Sequence, residues 1–63
     1  SDVVNFNSIN ELQIDVTDIN GKRIMNKTIS PNGQLDISNL NSGIYFVTAT
    51  DGINSNVEKL IVK

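Results

Sequence analysis

The side chains of this 63-residue chain that could do chemistry are its acids, seven Asp and Glu against five Lys and Arg, with neither histidine nor cysteine. Without His or Cys, the nucleophile and base pairs of hydrolases and the usual zinc ligand sets cannot be built. A carboxylate pair stays formally open. Yet Asp15, Asp18, Asp36 and Asp51 fall on outward strand positions or at turn starts, where carboxylates are solvated or cap backbone amides. Catalysis would also require a concave, partly buried pocket, which a domain this small rarely has. Asp51-Gly52-x-Asn54-x-Asn56 has the oxygen-rich character of a calcium loop but lacks the length and terminal Glu of an EF-hand, so it reads as a polar hairpin turn. Asn26-Lys27-Thr28 fits the N-glycosylation acceptor pattern, which arises by chance in an asparagine-rich chain. No catalytic residue, cofactor or metal is expected, and the chain is not expected to be an enzyme.

What positions these residues is a series of short strands. Ser1 to Asn7, with Val3, Val4 and Phe6, reads as a first strand. From Glu11 to Thr17 the alternation is regular: Leu12, Ile14 and Val16 on one face, Gln13, Asp15 and Thr17 on the other. Asn20-Gly21 then predicts a hairpin in which both central residues take positive φ. The returning strand, Lys22 to Ile29, carries Ile24 on one side and Arg23, Met25, Lys27 and Ile29 on the other. Ser30-Pro31-Asn32-Gly33 is a second turn, with Pro31 supplying a fixed φ and Gly33 the permissive one.

A brief strand, Gln34 to Ile37, leads through Ser38-Asn39-Leu40-Asn41-Ser42-Gly43 into the most apolar stretch, Ile44 to Ala49. Leu40 is the apolar exception in that turn and is expected to plug the open end of a small core. Ile44 and Phe46 point one way, Tyr45, Val47 and Ala49 the other; apolar faces on both sides predict a central strand. After a hairpin loop at Asp51–Ser55, Asn56 to Val62 returns with Val57 and Ile61 beside Lys59 and Lys63, opposite Glu58, Leu60 and Val62. Turns at intervals of about 8–12 residues predict an all-β fold, a small antiparallel immunoglobulin-like β-sandwich of six to seven short strands.

Sixty-three residues make a single domain near the lower limit for an unaided core. Without disulfides the domain depends on apolar packing alone. The net charge of −2 gives no basic surface for nucleic acid or anionic lipid. No apolar run approaches the roughly 20 residues of a membrane-spanning helix. A monomer is expected.

The run Leu40-x-x-Gly43-x-Tyr45-Phe46-Val47, with Leu35-Asp36-Ile37-Ser38 before it, a basic final strand ending at Lys63 after it, and Val16-x-Asp18-x-Asn20-Gly21-Lys22 upstream, resembles the C-terminal sorting domain of the type IX secretion system. The resemblance covers nearly the whole chain and lies in the order and spacing of these motifs. The Pro-x-Pro stretch that the family carries ahead of its first strand has no counterpart in these residues.

The resemblance implies an address rather than a catalyst, the last domain of a larger secreted precursor with its cargo domain on the N-terminal side. Such a protein crosses the inner membrane by the Sec route. It is then directed through the outer-membrane translocon of Bacteroidota-type bacteria, and a surface sortase often removes the domain. Translocon recognition is carried over onto Gly43, Tyr45, Lys59 and Lys63. By their chemistry alone, Gly43 would supply a backbone conformation at the strand's start, Tyr45 a core aromatic with its hydroxyl at the rim, and the two lysines the solvated positions of an edge strand. An immunoglobulin-like accessory or spacer module is the alternative; sugar binding is disfavoured by the scarcity of aromatics.

Overall fold

The computed structural model describes residues 3–63; Ser1 and Asp2 of the expected first strand lie outside the described residues. Six strands follow one another: β1 (Val3–Asn5), β2 (Leu12–Asp18), β3 (Arg23–Ile29), β4 (Gln34–Asp36), β5 (Gly43–Thr50) and β6 (Ser55–Val62). They form two antiparallel sheets, one of two strands in the order β1-β4 and one of four in the order β3-β2-β5-β6. This is the all-β, two-sheet arrangement predicted from the alternation, and no helix occurs among the described residues.

Alternation decides what lies between the sheets. Ile14 and Val16 of β2, Ile29 of β3, Leu35 of β4, and Tyr45 and Val47 of β5 form the buried core. Leu12, Leu40, Leu60 and Val62 pack partly buried against it, so the apolar residue of the turn, Leu40, contributes to the core. Strand β5 is central, flanked by β2 and β6. Only its Tyr45 and Val47 face is covered; Ile44 and Phe46 remain exposed. The small sheet packs on the Tyr45 and Val47 side and no second layer of the described residues covers the other, so the Ile44 and Phe46 face of β5 meets solvent.

Three local readings are corrected. In the first hairpin, Gly21 alone takes positive φ, at 85°. The Gly21 N–H donates to the Asp18 carbonyl at 3.0 Å, and the Asp18 N–H to that of Lys22 at 2.9 Å. This is a three-residue loop, a type I turn closed by one left-handed residue. The pairing then shifts register, Val16 facing Met25 and Thr17 facing Arg23, which leaves Ile24 as an extra residue on β3. Because such a bulge reverses the facing of the residues beyond it, Arg23 turns away from the Met25 side and pairs with Asp15 at 3.1 Å.

In the second turn the Gly33 N–H donates to the Ser30 carbonyl at 2.9 Å, and it is Asn32, with φ 56°, that takes the positive angle a type II turn requires at its third residue. Gly33 is there for space: a Cβ would stand 2.7 Å from Ile29 Cγ2 and 2.8 Å from the Ser30 carbonyl oxygen.

Candidate functional site: the β5–β6 edge

The four aspartates at outward strand positions and turn starts have structural partners. Asp18 Oδ1 accepts the amides of Asn20 and Lys22, each at 2.9 Å, and so fixes the first hairpin. Asp36 Oδ1 accepts the Ser38 amide at 2.9 Å. Asp51 Oδ1 accepts those of Ile53 and Asn54 at 2.9 and 2.8 Å. Asp15 accepts from Asn26 Nδ2 at 2.7 Å in addition to its ion pair with Arg23. Asp18, Asp36 and Asp51 cap turn amides, the work predicted for acids at turn starts, while Asp15 is held by cross-strand side chains that the alternation did not predict.

The bonds to charged acceptors act on titration. The Ser38 amide and hydroxyl hold the Asp36 carboxyl below the ordinary aspartate value, and the amides of Asn54 and then Ile53 do the same for Asp51. A carboxyl lowered in the folded state stabilises that state fully above its unfolded value and loses the contribution as pH falls through the folded one. Thermal melts are therefore expected to be flat above about pH 5 and to fall below about pH 4. Asp51→Asn, which keeps an acceptor oxygen but cannot titrate, should reduce that acid dependence.

Of the four residues carried over by resemblance, Tyr45 is buried, while Gly43, Lys59 and Lys63 are exposed. Tyr45 is buried, and its hydroxyl donates to the Asn41 carbonyl at 2.7 Å. A tyrosine reaching back to the backbone a few residues upstream is the tyrosine-corner device of immunoglobulin-type sandwiches. Here it pins the crossing from β4 to β5.

Gly43 opens β5 with φ 157°, and a Cβ there would stand 3.8 Å from the Tyr45 ring. The space is adequate and the backbone angle is not. Gly43→Ala is accordingly expected to destabilise the fold by about 1–3 kcal/mol, measurable as a lowered urea midpoint with unchanged slope.

Lys59 sits opposite Phe46 in the β5·β6 register, while Gly43 faces Val62 and Tyr45 faces Leu60. Lys63 lies one residue beyond β6 and is exposed. Gly43, Tyr45 and Lys59 therefore share the β5·β6 ladder, with Lys63 just past its end, and the four do not form one surface. The accessible part is β6 itself.

Its backbone has one unpaired side. The Asp51 N–H donates to the Asn54 carbonyl at 3.1 Å, which makes Asp51 and Asn54 a hydrogen-bonded pair, and such pairs alternate along an antiparallel ladder. In the observed register, the backbone groups of Asn56, Glu58, Leu60 and Val62 then point to β5. Those of Val57, Lys59 and Ile61 point to the free edge.

The two edges of the large sheet differ. Strand β3 is interrupted by the bulge at Ile24 and carries Arg23 and Lys27. Strand β6 pairs with β5 through eight consecutive residues without a shift. It is the long, regular, unpaired edge among the described residues, and its charged guards are Glu58 and Lys59, with Lys63 just beyond it.

Beside this edge the outer sheet face is apolar, with Ile44 42%, Phe46 36%, Val57 61% and Ile61 58% exposed. On the inner side, β6 borders an open cleft of about 610 Å³ whose lining includes Phe6, Val47, Ala49, Asp51 and Glu58. The edge and the cleft depend on sheet order and on how much the small sheet covers. The sequence carries a signal for the outer face, the apolar pairs Ile44/Phe46 and Val57/Ile61, but none for which side stays uncovered.

No curated protein and no solved structure matches the chain. A family model described as "Secretion system C-terminal sorting domain" matches residues 1–63. Since that match spans the whole chain, this β-domain with its regular exposed edge belongs to the C-terminal sorting domains of the type IX secretion system.

Proposed function

We propose that this domain directs the protein carrying it out of the cell by presenting the free edge of β6 to the type IX secretion machinery. A sorting domain of this family implies a secreted or cell-surface protein and contact with that machinery. In the proposed sequence of events, the domain forms the C-terminal end of a longer precursor and enters the periplasm with its cargo as a monomer. There it folds and is recognised as a folded β-domain by the outer-membrane translocon. A surface sortase then removes it as the cargo is attached. Gly43 and Tyr45 act through the fold, by fixing where β5 starts and hence where β6 lies; Lys59 and Lys63 act at the recognised edge.

The observation that carries this reading is the contrast between the two edges of the large sheet. An exposed strand with its N–H and C=O groups unpaired is a template for a partner strand, and main-chain hydrogen bonds then supply affinity while alternate side chains supply specificity. The test is export of a fluorescent reporter carrying a Sec signal at its N-terminus and this chain at its C-terminus, in a bacterium with the type IX machinery. The full fusion should reach the surface or medium, and one lacking Val57 to Lys63 should stay in the periplasm. Equal export of the two would refute recognition through the last strand.

A further inference from the structure

We infer that the segment docking on β6 is an antiparallel strand with a charge pattern fixed by that edge: an acid opposite Lys59 on the outer face, flanked at alternate positions by apolar residues, and a base opposite Glu58 on the inner face. This deepens the reading that β6 is the recognised edge and rests on it. Directly opposed residues on an added strand point to the same face as their partners. The outward side chains of β6 are Val57, Lys59 and Ile61, and Lys59 is the single charge between two exposed apolar side chains. A carboxylate facing it completes an ion pair, while apolar residues facing Val57 and Ile61 continue the patch formed with Ile44 and Phe46.

The inner side has the opposite charge. Glu58 borders the cleft together with Asp51, and the cleft lining contains no base. A cation on the incoming strand opposite Glu58 would meet two carboxylates at the cleft mouth; an acid there would be repelled. The position opposite Leu60, which packs against the core, takes an apolar residue. Read from its own N-terminus, the docking strand is thus apolar, apolar, acidic, basic, apolar across Ile61 to Val57.

Two synthetic peptides test the pattern against the full chain, residues 1–63. The first is Thr-Val-Ile-Glu-Lys-Val-Thr; the second has the central Glu and Lys exchanged. In an amide-resolved NMR titration the first peptide should shift the amides of Val57, Lys59 and Ile61 and bind at least about fourfold more tightly than the second. The double variant Glu58→Lys/Lys59→Glu should reverse the order.

Equal affinity, no binding by either peptide, or shifts located elsewhere would overturn the charge pattern. The reading beneath it is separable. If the peptides fail to discriminate while an edge-blocking proline at Val57 still abolishes export, β6 recognition stands and only the inferred pattern falls. If that proline variant is exported normally, recognition through β6 falls as well.

Discussion

Leu35→Ala is expected to leave the domain largely unfolded at 25 °C. Leu35 is 1% exposed and is the buried core residue supplied by the two-stranded sheet. That sheet consists of two strands of three residues each. Truncating a buried leucine costs about 2–5 kcal/mol, from lost transfer free energy and from the cavity left behind. A domain below about 70–80 residues rarely has more than roughly 3–5 kcal/mol in total. The substitution therefore removes most or all of the margin, and no disulfide or metal of the usual kind supplements it. Ile53→Ala serves as the comparison, because Ile53 is 90% exposed in the β5–β6 loop and should melt as the parent does. Circular dichroism melts of the two variants check the prediction; a Leu35→Ala domain that melts within a few degrees of the parent would contradict it.

The second large effect concerns recognition rather than folding. Val57 and Ile61 point their N–H groups to the free edge, so proline at either position removes an edge donor without removing a bond to β5. Each cross-strand hydrogen bond contributes about 1 kcal/mol net. A ring in the edge that prevents two or three of them should weaken strand docking about 30- to 150-fold. Deleting the whole strand would also uncover β5 and unfold the domain, which is why the proline variants separate loss of the edge from loss of the fold.

Much of this architecture was legible in the residues, and the exceptions have identifiable causes. Leu12, Ile14 and Val16 alternate so regularly that their burial follows from the strand period, and the turns at Gly21, Pro31 and Gly52 lie where turn-forming residues cluster. Strand alternation alone puts Arg23 on the wrong face, because the bulge at Ile24 is a property of the pairing between strands, invisible in one strand's alternation. Asn32, not Gly33, carries the positive φ because it is the third residue of the Ser30–Gly33 turn, whereas Gly33 is needed because a Cβ there would meet Ile29 and the Ser30 carbonyl, a tertiary contact that turn chemistry alone does not reveal.

At the site, the alternation of Val57, Lys59 and Ile61 against Glu58, Leu60 and Val62 was readable. That the Val57 side stays exposed, together with the Ile44 and Phe46 face of β5, was not. Exposure there depends on a small sheet that covers one side of the large sheet and leaves the other to solvent.

Recognition through β6 is tested most directly by exporting the reporter fusion with Val57→Pro in the sorting domain, beside the parent fusion, after confirming by circular dichroism that both domains are folded. If β6 is the recognised edge, the parent reaches the cell surface or medium while the folded Val57→Pro fusion accumulates in the periplasm. Equal export of the two folded domains would contradict it and show that the machinery reads some other part of the sandwich.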